Sequence, residues 1–196
     1  MGIKVITPPA ALLTIAELHL QLKLDTGAFV VHPDDTLLTT RLLPAAAAYC
    51  EHASNRSYGS QTLELALDAF PSGPIALPRG PVTSVTSVTY VDTAQATQTL
   101  SSSLYTLDDY SPEAWLIPAY DTTWPDVLAT PNAVKVRYVA GAATVPPSVL
   151  SAMLLLVEYW HDNMGAYGVG TMSEDVRRGI DALLQIDRDY SRVGGA

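Results

Sequence analysis

The sequence predicts an α+β fold, a small helical bundle built from N- and C-terminal helices with a β-rich insertion in the middle. Three observations predict it. Leucine- and alanine-rich stretches with helical spacing lie at both ends of the chain. The middle alternates polar and apolar residues and is rich in Val, Thr and Tyr, the pattern of half-buried strands. Most of the 14 prolines punctuate that middle region, which favours short strands and long connections. The expected division is residues 1–60 for the N-terminal helices, 61–141 for the insertion, and 142–196 for the helices that complete the bundle and its tail.

Along the chain, an extended Pro8-Pro9 lead precedes Thr14-Ile15-Ala16-Glu17, which has capping-box spacing: a Thr hydroxyl for the third helical N–H and a Glu reaching back. Leu18, Leu20, Leu22 and Leu24 follow, and Asp25-Thr26-Gly27 stops the helix. A second helix starts at Pro33-Asp34-Asp35, where acids favour a helix N-terminus, and Leu37, Leu38, Leu42, Ala45, Ala48, Tyr49 and His52 carry it. Pro44 lacks an N–H and crowds the preceding turn, so it should kink or divide this helix. Ser54-Asn55 through Tyr58-Gly59 is its exit.

In the insertion, Leu63, Leu65 and Leu67 alternate with Thr62, Glu64, Ala66 and Asp68. Pro71-Ser72-Gly73-Pro74 turns the chain, and Ile75/Leu77, Val82–Val91, Gln98–Leu100, Tyr105–Leu107, Trp115–Ile117 and Ala133–Val139 are the further strand candidates. Asp108–Thr130, with two tryptophans, prolines and four aspartates, is expected as a long excursion. Pro146-Pro147 marks the return to helix, with Val149, Met153, Leu154, Val157 and Trp160 on one face. Gly165, Gly168 and Gly170 break it, and a final helix begins near Ser173-Glu174-Asp175, with Arg188 and Arg192 toward its C-terminal end.

Composition excludes several functions. The 196 residues are 48% hydrophobic and 16% charged, ample for a core and inconsistent with wholesale disorder. The net charge is −9, and residues 61–131 hold Glu64, Asp68, Asp92, Asp108, Asp109, Glu113, Asp121 and Asp126 against Arg79 alone. Such a surface repels DNA rather than gripping its phosphates. The single cysteine, Cys50, leaves no disulfide framework and no thiolate-rich metal site. MGIKVITPPA has neither a long apolar stretch nor a cleavage site, so the expectation is a soluble chain made in a cytoplasm, with no membrane partner.

No catalytic pattern emerges. His19, His32, His52 and His161 show no H-E-x-x-H pairing and are read as imidazoles with local partners. Gly165–Gly170 follows no strand and precedes no Lys, so it is a hinge and not a phosphate loop. Asp108-Asp109 is read as a solvated turn before a paired acid–base site. Trp115, Tyr120 and Trp124 are a stacking platform on one reading, and loop anchors or a subunit contact on the favoured one. The sequence points to no enzyme, no metal and no cofactor.

Several strings, in order, resemble one family of head–tail connector (adaptor) proteins found in siphovirus-like phages, prophages and gene transfer agents. They are Ile6-Thr7-Pro8-Pro9-Ala10 before Leu13–Glu17, Asp34-Asp35-x-Leu37-Leu38, Ala48-Tyr49-x-Glu51 with Arg56, and Leu77-Pro78-Arg79-Gly80-Pro81-Val82-x-Ser84-Val85-x-Ser87-Val88-x-Tyr90-Val91-Asp92. Tyr105, Trp124-Pro125, Val134-x-Val136-x-Tyr138-x-Ala140-Gly141 and Val145-Pro146 complete the set. His161-Asp162-Asn163 after Trp160, and Pro44, depart from the pattern. The resemblance implies a dodecameric ring of this chain beneath the portal protein in the virion neck. The next neck or tail-completion protein would lie on the other side, and DNA would pass through the lumen without specific binding. Under it, Arg188, Asp189, Tyr190 and Arg192 are the expected portal contacts, and Trp115, Tyr120 and Trp124 the contacts to a neighbour or the tail side. The alternative is a carbohydrate-binding or adhesive β module of a tail.

Overall fold

Local chemistry sets the helices of the first part of the chain. In the computed structural model, which describes residues 2–24, 31–111, 113–163 and 172–189, Thr14 opens helix α1 (Ile15–Leu22) with both halves of the capping box formed. The Glu17 carboxylate accepts from the Thr14 N–H at 2.7 Å, while the Glu17 N–H donates to Thr14 Oγ1 at 3.3 Å. Lys23 ends the helix in the left-handed conformation, at φ 54°. Of the four leucines expected to pack, Leu18 is fully buried and Leu20 is left exposed.

A short helix α2 (Asp35–Leu37) leads through a π-helical turn, Leu38–Leu42, into α3 (Leu43–Ser54). Pro44, expected to kink or divide the helix, stands in the first turn of α3. It cannot donate back to residue 40 and its ring crowds that carbonyl. The helix accommodates it by widening: the Leu43 N–H reaches Leu38 O, five residues back. The exit holds as expected, with Asn55 at φ 57° capping α3. The buried Glu51 then accepts from the Tyr58 N–H at 2.9 Å, closing the loop after the helix.

α4 (Pro147–Asp162) and α5 (Glu174–Gln185) supply the remaining helices. Their apolar faces meet those of α1 and α3 in one core: Leu18, Leu38, Ala46, Cys50, Tyr58, Val149, Met153, Leu156, Val157, Ile180 and Leu184. These helices belong to one compact unit, Ala11–Tyr58 with the chain from Thr144 onward. The segment Gly165–Gly170 lies outside the described residues. α5 ends at Gln185, so Arg188 lies beyond the helix and not in its last turn.

The second unit holds the residues up to Ala10 together with Gly59–Ala143. It contains β1 (Gly2–Thr7), β2 (Gln61–Leu67), β3 (Ile75–Leu77), β4 (Val82–Val91), β5 (Thr97–Leu100), β6 (Tyr105–Asp108), β7 (Ala114–Pro118) and β8 (Val134–Ala140). The strand candidates of the insertion all form. Two antiparallel sheets result, in the orders β1-β2-β8-β4-β5 and β3-β7-β6. Leu63, Leu65, Val88, Val134, Val136 and Tyr138 of the first share one buried core with Ile75, Leu77 and Leu116 of the second.

Two expectations are corrected. The residues before Pro8, grouped in the sequence reading with the N-terminal helices, form a strand, β1, that pairs antiparallel with β2, Ile3 opposite Leu65 and Val5 opposite Leu63. Asp108–Thr130 is not one loop, because β7 crosses it as the central strand of the three-stranded sheet. Its alternation, Ala114 and Leu116 buried with Trp115 and Ile117 half-buried, is what seats it there.

Candidate functional site

The strings that carried the resemblance have physical work in this fold. In the Leu77–Asp92 stretch, the Tyr138 hydroxyl donates to Pro78 O at 2.7 Å inside the core, and Gly141 N–H donates to Pro81 O at 2.9 Å. Asp92 organises the β4–β5 turn by accepting from the Ala94 and Ala96 N–H groups, each at 2.9 Å, and from Gln98 Nε2 at 2.8 Å. The Gln98 and backbone hydrogen bonds hold its carboxyl below the usual aspartate range. Glu51 caps the loop after α3, and Arg56 stands 3.8 Å from Asp187. These residues specify the fold rather than a reaction.

The expected portal-contact residues follow α5. The Asp187 N–H donates to Leu184 O at 3.2 Å, and the Asp189 N–H donates to Ser54 O at 2.9 Å, so the chain after α5 is tied to the last turn of α3. Arg188 is exposed and lines a groove between α3 and α5 with Ala53, Arg177, Asp181, Leu184 and Gln185. The groove is therefore polar and carries both signs of charge. Asp181 and Arg177 also flank the Tyr49 hydroxyl, which burial first and then Asp181 push above the usual tyrosine value. Asp189 is half-buried; Tyr190 and Arg192 lie outside the described residues. Next to this junction, burial pushes Tyr58 up to about 12, and burial does the same to the Cys50 thiol, so neither is a nucleophile at neutral pH.

The three aromatic candidates separate by role. Trp124 stacks on Phe70 with ring centroids 5.0 Å apart and planes 4° from parallel, and its Nε1–H donates to Gly73 O at 2.9 Å. Phe70 in turn meets Tyr90 edge-on at 5.8 Å. Trp124 is a loop anchor, with one face covered and its polar tip satisfied. Trp115 is half-buried in β7, whereas Tyr120 is fully exposed at 100%. Tyr120 is thus the most exposed member of the set, and Trp115 keeps part of its surface open.

One grouping escaped the sequence reading. His19, His32 and His161, each expected to have its own local partner, gather around Asp34 and Asp35 within the helical unit. His19 Nε2 pairs with Asp35 Oδ1, the His32 N–H donates to Asp35 Oδ2 at 2.9 Å, and His161 Nε2 lies 3.3 Å from Asp34 Oδ2. The His19 and His32 rings are 5.8 Å apart. Spacings of 13 and 129 residues between the histidines left no local signal; only the closure of α1 and α4 over the start of α2 joins them. The arrangement latches three helical elements together. Among the described residues no three His, Cys, Asp or Glu side chains are grouped to hold a metal ion, and no helix is long and apolar enough to cross a membrane. Asp108, considered for acid–base work, accepts from the Tyr110 N–H at 3.2 Å in an exposed turn.

No protein-family profile matches the chain, and no curated protein matches it. Solved structures do. A chain of the neck of an empty gene transfer agent particle computed with C6 symmetry is 26% identical, with a TM-score of 0.77 over 100% of this chain and 99% of that one. A chain of the virion of a native gene transfer agent particle is 25% identical with a TM-score of 0.73, over the same shares. A chain of the neck of a native particle computed with C12 symmetry, 23% identical with a TM-score of 0.71, shares the fold. The likeness in three dimensions agrees with the connector resemblance read from the sequence strings: end to end, this chain is similar to chains of the gene transfer agent particle and its neck.

Proposed function

We propose that this chain is a structural subunit of a virion neck, a head–tail connector (adaptor) that forms a ring under the portal, joins capsid to tail and lines the DNA exit channel. The observation that carries the reading is the full-length likeness to a chain of a neck computed with C6 symmetry. Cyclic symmetry places each copy in the same relation to the next, which is how a ring is built. The charge distribution supports a duct: eight acidic residues and one arginine over residues 61–131 would let a duplex slide without being held. The portal contacts are assigned to the segment after α5, at Arg188, Asp189, Tyr190 and Arg192, and Tyr120 with Trp115 to a neighbour or the tail side. Trp124 is reassigned to the support of its loop. No catalysis is assigned to the chain.

The test is the mass of the purified protein by light scattering, alone and mixed with the portal protein from the same gene neighbourhood. A closed ring, or a monomer that joins the portal stoichiometrically, is the expected result. A monomer indifferent to the portal would sink the reading.

A further inference from the structure

β1 is exposed along its whole length, from Gly2 to Thr7. A strand in a folded sheet ordinarily hides every second side chain. Ile3 and Val5 stand opposite Leu65 and Leu63, on the face of the sheet that holds the core. Yet they are 36% and 40% exposed, while both leucines are at 0%. Ile6, at the irregularity between Val5 and Thr7, is 37% exposed as well. Among the described residues no strand lies beyond β1, so its outer N–H and C=O groups have no sheet partner. An open apolar strip and an open hydrogen-bonding edge coincide on one short segment.

The segment is built to pair. Gly-Ile-Lys-Val-Ile-Thr is β-branched at four of its six positions and contains no proline. Natural sheets guard such edges with charges, prolines or cover. Here the one charge, Lys4, stands opposite Glu64, whose carboxylate lies 2.6 Å from Arg137, so it belongs to a cross-strand row of alternating sign. The opposite end of the same sheet is open too. β5 has no strand beyond it among the described residues, and Thr97, Gln98 and Thr99 are exposed.

We propose that a second copy of this chain covers β1, whose free edge adds to the β5 edge of the neighbour's five-stranded sheet. The inference rests on the ring reading above. Each copy then offers two unlike surfaces, and a contact between unlike surfaces repeats by rotation until it closes. The alike chain in a neck of C6 symmetry is in the cyclic setting this requires. Main-chain hydrogen bonds would hold the joint, and Ile3, Val5 and Ile6 would give it an apolar seal.

Lys4 and Thr99 lie on the same, outer face of the sheet, as the register through Glu64, Arg137, Lys135 and Thr89 shows. Within one copy they are separated by four strand spacings, about 19 Å, too far for a disulfide. Cys50 is buried and does not interfere. The experiment uses the full chain with Lys4→Cys paired with Thr97→Cys or with Thr99→Cys, assembled under the conditions in which the unmodified protein reaches ring mass, with the portal if that is needed. Mild oxidation should convert most of the protein in at least one pairing into a ladder of covalent multimers, while single-cysteine controls stay monomeric on a denaturing gel. Amide exchange of residues 2–7 should slow on assembly. Rings of full mass that yield no ladder in either pairing, and unchanged exchange in β1, would overturn the β1–β5 joint and leave the ring reading intact. Failure of the unmodified protein to assemble at all would remove the ring reading, and this inference with it.

Discussion

Gly141 sits at φ 138°, and a Cβ there would lie 2.4 Å from Gly59 O. Both the backbone conformation and the close approach of the Gly59–Ser60 backbone require glycine. Gly141→Ala should therefore lower stability by about 3 kcal/mol in denaturant unfolding, from strain plus displaced backbone. Asp35 supplies a pH-dependent contact. Burial pushes its carboxyl up, but hydrogen bonds from His19 and the His32 N–H and the nearby imidazole charge outweigh it, so the folded-state pKa is lowered. A lowered carboxyl pKa stabilises the fold above the unfolded value and loses that contribution as pH falls through the folded value. Asp35→Asn should be less stable than the parent at pH 7, and the gap should narrow as pH drops below about 4. Thermal midpoints of both proteins across that range would read it; a gap that widens in acid would contradict the assignment.

At the level of elements, α1 depends on its cap more than on its length. It has eight residues, too short to persist alone, and Thr14 and Glu17 satisfy its first turn reciprocally. Thr14→Ala removes Oγ1 as acceptor for the Glu17 N–H and should cost about 1 kcal/mol, read from the chemical-denaturation midpoint. The second helix shows how a sequence rule acts through context. Pro44 announced a kink or a division, and the chain meets it with a π turn, Leu38–Leu42, between α2 and α3 ahead of the proline. The excursion 108–130 teaches the opposite lesson. Its prolines and aspartates favour loop, but Leu116 is fully buried between neighbours on β3 and β6, and the five residues around it become a central strand.

For the whole molecule, two cores coexist, one helical and one between the two sheets. The helical unit carries the segment assigned to the portal. Truncation after Asp187 removes Arg188 and everything beyond it, together with the backbone bonds from the Arg188 N–H to Gln185 O and from the Asp189 N–H to Ser54 O. The truncated protein should keep its far-ultraviolet circular dichroism and lose portal co-sedimentation. Undiminished portal binding would move the contact elsewhere on the subunit.

Much of this was legible in the residues. The capping box, the alternation of β2 and β8, the exit of α3 and the proline-marked return to helix are short-range signals, because helix caps and the two-residue period of a strand are set by neighbours in the chain. The expected stops at Asp25-Thr26-Gly27 and Gly165–Gly170 lie outside the described residues. The ordered strings already pointed to the connector family, and the acidic middle of the chain argued against a grip on DNA. What only the tertiary structure decided is long-range. It paired β1 with β2 across more than fifty residues of chain, stacked Trp124 on Phe70, and brought His19, His32 and His161 to two neighbouring aspartates. Those contacts depend on which faces remain to be buried once the elements exist, and no local pattern encodes that choice.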